Sequence, residues 1–284
     1  MMLQKLQNFS AALAIAISAT TVSAQQLKVP APSPLQTVKQ AFALSDVSIE
    51  YSRPGAKGRV VYGDVVPFGK VWRTGANGAT KITFGEDVKV EGNAVSAGTY
   101  ALYTMPNKDS WEIMLYKDLT LGGNVANYKK ENELARFTVK TKVLNDKVEN
   151  FTIDFADITS TTMNIDLNWE KTRVSLAVVA DIDAKIMKNI DANVVNDARP
   201  YFQAANYYYD NNKDLVKAGE WADKAIAANP KAYWVVMLKA KIQAKQNNKK
   251  EAIATAEKVI AIATEEKDEA YVAQAQKLIA ENKK

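Results

Sequence analysis

The chain has 284 residues, 47% hydrophobic and 24% charged, ordinary globular proportions that allow one large domain or two smaller ones. It contains no histidine and no cysteine, which excludes Ser-His-Asp triads, Cys-His nucleophiles, the usual zinc ligand sets and disulfides. A formal charge of +5, with Lys and Glu interspersed, gives only weak attraction to anionic surfaces and argues against nucleic acid as a partner.

Lys5, an apolar run from Ala11 to Ile17 and the small-residue site Val22-Ser23-Ala24 predict a signal peptide over residues 1–24. Cleavage near Ala24 would place the mature chain in the periplasm or outside the cell. No later stretch is long and apolar enough to read as a membrane span. Pro30, Pro32 and Pro34 then impose an extended linker over 25–40.

From Val47 to Val179 the pattern is short alternating runs broken by Gly, Asn, Asp and Pro, which predicts antiparallel strands. The runs are 47–52, 58–62, 79–84, 87–92, 99–106, 110–117, 135–143, 149–157, 161–170 and 172–180. Met163, Ile165, Leu167 and Trp169 form one period-2 stripe, and Val174, Leu176 and Val178 another. A tight reversal at Glu170-Lys171 would pair these last two runs as a hairpin. Many strands without intervening helices predict an all-β antiparallel sandwich over 41–180.

After Asp181 apolar residues recur three and four apart, so 181–284 reads as helical. A repeat of about 34 residues, with Arg199 and Tyr233 as starts, places Ala218 on Ala252, Ala222 on Ala256 and Ala225 on Val259, the tetratricopeptide period. Asn229-Pro230 should stop one unit, Lys249 to Ala252 should open the second helix of the next, and 269–280 should cap the array. If the first helix of each unit lines a concave side, Gln203, Tyr207, Asp210, Trp234, Met237 and Lys241 would line a partner groove.

One cluster stands out in the β region. GKVWRTGANGAT, residues 69–80, sets Lys70, Trp72, Arg73, Thr74 and Asn77 among three glycines. Trp72 could stack on a ligand beside the forked donor of Arg73, or plug the core while Thr74 and Asn77 hold a turn. Arg53 and Arg59 are further ligand-binding candidates, since with Arg73 they could form a shared anion site. Gly75 and Gly78 precede a β run, so this is not a nucleotide-binding loop.

Other chemistry is thin. Glu50, Asp64, Glu86, Asp87 and Glu112 could supply a carboxylate pair, and Ser52 with Lys57 a Ser-Lys pair outside any helical motif. Oxygen-ligated calcium among Asp64, Asp87, Asp154 and Asp157 lacks EF-hand or RTX spacing. No catalytic set, metal site or cofactor is assigned.

Tyr51-Ser52-Arg53-Pro54, Lys57-Gly58-Arg59, the 69–80 stretch, Ala97-Gly98-Thr99-Tyr100, Trp111 and Trp169-Glu170-Lys171-Thr172 resemble the bacterial secreted family of domain of unknown function 2911, common in Bacteroidetes, over residues about 30–180. The resemblance implies a β domain, in members that often carry a helical tail, and brings no reaction. Two positions depart from its pattern: Gly78, where an acidic residue is common, and Leu121-Gly122, where a tryptophan commonly precedes the glycine. The leading expectation is a non-enzymatic envelope binding or scaffold protein. It would hold a glycan or polypeptide on the sandwich and a protein partner on the helices; the alternative is a carboxylate-dependent hydrolase of envelope polymers.

Overall fold

A computed structural model describes residues 29–195 and 200–283. The expected signal peptide and Arg199 lie outside the described residues. Nine strands form one antiparallel order, β1-β2-β3-β6-β7-β8-β9-β4-β5. They are β1 Leu35–Phe42, β2 Ser45–Ser52, β3 Ala76–Phe84, β4 Val88–Val90, β5 Asn93–Val95, β6 Gly98–Pro106, β7 Ser110–Tyr116, β8 Glu133–Ala156 and β9 Thr162–Val179. The sheet folds into a β-sandwich because β8 passes through both layers: residues 133–140 pair with β7, and 141–156 pair with β9. Register shifts around Val143 and Val148 mark where it turns the corner.

The layers also meet at an open seam. The Tyr51 hydroxyl on β2 donates to the Ile153 carbonyl and accepts from the Ile153 amide on β8, at 3.2 and 2.9 Å. The Phe151 amide donates to the Pro54 carbonyl at 2.9 Å, and the Ala56 amide to the Glu149 carbonyl at 2.8 Å. Both expected stripes point inward: Met163, Ile165, Leu167 and Trp169, then Val174, Leu176 and Val178, are all buried in one core.

Four strand expectations are corrected. Leu35 to Gln40, read as linker, already belong to β1, an exposed edge strand paired with β2. Residues 58–62 form no strand; the Val65 and Val66 amides return to the carbonyls of Val60 and Val61, making a compact loop that inserts Val61 and Val66 into the core. Residues 135–143 and 149–157 are one strand, β8. Glu170-Lys171 is no hairpin: β9 runs straight through, and Glu170 at φ 51° shifts the inward face from odd to even positions.

The helical region comprises α1 Asp183–Ile190, continued by a π turn at Asp191–Val195, then α2 Tyr201–Asp210, α3 Leu215–Ala228, α4 Tyr233–Lys245, α5 Lys249–Glu265 and α6 Glu269–Asn282. Neighbouring helices from α2 onward pack pairwise, and α4 also touches α2 and α6. Ala218, Ala222, Ala252 and Ala256 are fully buried, so the small residues sit where helix pairs approach. Helix α2 closes through Asn212 at φ 52° and α4 through Asn247 at φ 64°. In each case the next amide reaches back, Lys213 to the Tyr208 carbonyl and Asn248 to that of Gln243, at 2.9 Å. Helix α1 ties the two regions together: Ile182 lies in the sandwich core, Ile186 touches both cores, and Lys185 Nζ meets Glu86 Oε2 at 3.1 Å. Among the described residues no helix is long and apolar enough to cross a membrane.

Candidate functional site

The 69–80 stretch is built around an inward-facing tryptophan. Trp72 and Thr104 exchange both backbone hydrogen bonds, at 2.7 and 2.9 Å, which fixes the segment against β6. The indole lies among Trp111, Phe151 and Trp169, with centroids 6.0, 5.1 and 5.9 Å away, and its Nε1 donates to the Gly75 carbonyl at 3.0 Å. Thr74 is fully buried at φ 54° and its hydroxyl reaches the Thr104 hydroxyl at 3.1 Å. Gly75 follows at φ 154°, and a Cβ there would stand 3.0 Å from the Ser52 carbonyl oxygen, so only glycine fits. Thr74 is thus buried and Trp72, partly buried, packs against the core, the geometry of the core-plug alternative.

Arg73 and Asn77 look the other way. Arg73 Nη1 donates to the Gly123 carbonyl at 3.0 Å, while its buried Nε has no partner among the described residues. Asn77, at φ 58°, donates from Nδ2 to the Ser33 carbonyl and to the Ser52 hydroxyl, both at 3.2 Å. Beside them a cavity of about 240 Å³ opens on the outer face of the first layer, between Ser52, Gly78, Gly122 and the Glu50–Lys81 ion pair at 3.3 Å. Gly78, one of the two departures from the resembled pattern, lines this cavity; Leu121, the other, does not, although the glycine that follows it, Gly122, does.

The remaining candidates separate. Arg53 donates to the Phe151 carbonyl and the Thr152 hydroxyl, Arg59 to the carbonyls of Ala56 and Gly55, and Lys70 is exposed. Among the described residues no two of the three arginines share an acceptor, and each is held by its own seam or loop.

Four of the candidate acids, Glu50, Glu86, Asp87 and Glu112, are each engaged. Glu86 accepts from the Leu44 amide and from Lys185, and Asp87 from the Ala97 amide. Glu112 pairs with Arg136, which also forks onto both oxygens of Glu133 at 2.9 and 2.6 Å. That fork holds the Glu133 carboxyl below the usual carboxylate range. A glycosidase proton donor requires the opposite shift. Behind this pair, residues 117–132 fold over the outer face, packing Leu121, Val125 and Tyr128 against Tyr103 and Tyr116. Burial pushes the Tyr103 phenol up to about 12, while its hydroxyl donates to the Gly122 carbonyl at 2.7 Å. Sequence reasoning missed this tyrosine cluster and Arg136; the alternation of Tyr103 and Met105 against Leu102 and Thr104 was its only local signal.

On the helices, the six groove candidates divide among several surfaces. Met237 and Lys241 line a basin of about 460 Å³ between α2, α4 and α6, where Tyr209, Lys245, Lys277 and Leu278 join them. Gln203 and Trp234 border a second cavity of about 270 Å³, and Gln203 and Tyr207 a third of about 410 Å³. Asp210 lines none of these three and accepts from Asn206, while the Tyr207 hydroxyl donates to Asp183 at 2.7 Å. A single groove containing all six is therefore corrected to one basin that contains two of them. Lys277 and Leu278 escaped the sequence reading because α6 was assigned as a cap alone.

A family profile described as "Protein of unknown function (DUF2911)" matches residues 33–178, more than half of the chain. No curated protein and no solved structure matches it. The match begins just before β1 and ends one residue short of the last residue of β9, so it covers the sandwich and stops before the helices. The chain belongs to the DUF2911 family of proteins of unknown function.

Proposed function

We propose that the chain is an exported, non-enzymatic binding or scaffold protein of the cell envelope that recognises a protein partner through a tetratricopeptide-like helical module. The observation that carries this reading is the basin between α2, α4 and α6. Its floor is apolar, from Met237 and Leu278, and its rim is polar, which is the make-up of a peptide-binding surface. The spacing of α3 and α5, which begin at Leu215 and Lys249, and the matched buried alanines support the repeat assignment. On the sandwich, the cavity beside Arg73 is the place for a small glycan or polypeptide ligand.

Quantitative comparison of proteins captured from the native envelope by the wild-type chain and by the Ala244→Trp variant, which narrows the basin, tests the reading. The expected result is a partner lost from the variant while its circular dichroism is retained. An identical set of captured proteins, with the variant folded, would overturn it. Recovery of the native chain with Met1 intact would overturn the export component.

A further inference from the structure

We propose that the occupant of the basin is an acidic peptide segment that carries an apolar side chain between its carboxylates; this rests on the binding reading above. The basin has a definite charge. Lys241, Lys245 and Lys277 stand on its lining against one acid, Glu281. Lys277 and Glu281 lie 4.0 Å apart with both side chains mostly exposed, a weak pairing that leaves the cation open to a competing carboxylate. Lys245 is already placed: its Nζ donates to the Tyr209 carbonyl at 2.9 Å and sits 4.6 Å from the Tyr209 ring centroid, so a positive charge is fixed at the mouth beside the C-terminal end of α2. Lys241 stands one helical turn before it on α4. Three cations thus approach one opening from two helices.

The floor supplies the second half of the recognition. Met237 and Leu278 are almost fully buried yet border the basin, so an entering apolar side chain meets thioether and aliphatic carbon rather than polar groups. Apolar contact below and carboxylate–ammonium contacts above are satisfied together by a peptide that alternates Asp or Glu with a residue such as Leu or Met. A polyanion without side chains, such as a phosphate polymer, satisfies the rim alone, and a neutral apolar peptide the floor alone.

The test is selection of random short peptides displayed against the full chain, followed by titration of the selected peptide and its Asn/Gln isostere. Amide hydrogen exchange of α4 and α6 locates the site. The expected result is enrichment of Asp and Glu around an apolar residue, protection of α4 and α6, and affinity at least about tenfold weaker for the isostere, with binding falling as salt rises. Lys241→Glu with Lys277→Glu, both at partly or fully exposed positions, should remove that preference while circular dichroism is unchanged. Selected peptides that protect α4 and α6 without acidic preference would overturn the charge assignment and leave the peptide basin standing. Binding of inorganic polyphosphate with equal strength to the acidic peptide would overturn the peptide assignment. Absence of any peptide that protects α4 and α6 would overturn both this inference and the basin as a binding surface.

Discussion

The indole of Trp72 lies parallel to that of Trp169, with planes 19° apart and centroids 5.9 Å apart. Trp169 is on β9, Trp72 is in the loop before β3, and Trp111 and Phe151 close the other sides with edge contacts. The stretch most suggestive of a binding loop is thereby anchored by a partly buried ring packed against the aromatic core. Trp72→Ala should cost about 3–5 kcal/mol of sandwich stability, since it leaves a large cavity among aromatic rings. Denaturant unfolding followed by near-ultraviolet circular dichroism checks this. A loss below about 1 kcal/mol would show that the ring is dispensable for packing.

Arg73 is one residue away and has a different task. Its contact with the Gly123 carbonyl pins residues 118–124 over the outer-face cavity. Arg73→Lys keeps the charge but loses the planar fork. Amide exchange at Thr120 to Asn124 should accelerate, with global stability changed by less than about 1 kcal/mol. Unchanged exchange in that segment would show that the loop is held by the Tyr103 hydroxyl on the Gly122 carbonyl instead.

Glu133 gives a pH dependence of known direction. Its carboxyl in the folded chain titrates below the ordinary value of 4.5, chiefly because Arg136 hydrogen-bonds the ionised form. The stabilisation is therefore fully present above that ordinary value and is lost as pH falls through the lower folded value. Glu133→Gln should cost about 1.5–3 kcal/mol at neutral pH, as for hydrogen bonds to charged groups. The gap between variant and wild type should close on acidification. A gap independent of pH would assign the effect to packing alone.

Much of the sandwich was legible because a half-buried strand writes its burial into alternate residues. The stripes of β9 are the clearest case. The errors arose where that code is ambiguous. Residues 58–62 carry the β-branched pair Val60 and Val61 beside Tyr62, yet Gly58 at φ 73° and Gly63 at φ 99° bend them into a loop that only resembles a strand in composition. β1 was invisible because an exposed edge strand needs no apolar face, and a preceding Pro-rich stretch reads as linker. The change of inward face at Glu170 can be read as either a bulge or a turn until β8 is seen pairing with both halves. The outer-face cavity was less legible still, since Arg73 and Asn77 meet partners at Gly123 and Ser33. Sequence spacing carries no information about such pairs.

The expected roles of Trp234 and Met237 can be separated by one comparison. Three positions apart on a helix, they should share a face, and sequence reasoning gave them the same groove. Helix α4, however, packs against α2 and α3 on one side and α5 and α6 on the other, so it buries Val235, Val236, Met237, Leu238, Ala240 and Ile242 nearly all round. Its exposed residues are Trp234 in the first turn and Lys245 at the end. Trp234 remains 41% exposed and touches Tyr233 edge-on at 5.2 Å, whereas Met237 is 3% exposed. Met237→Ala should therefore cost about 2–5 kcal/mol in the helical region, and Trp234→Ala, whose ring is only partly covered, about 1 kcal/mol. Chemical unfolding followed by the helical circular dichroism signal measures both. Equal losses for the two variants would mean that Trp234 is covered in solution, and that the surface around Gln203 and Trp234 is part of the folded core rather than an open cavity.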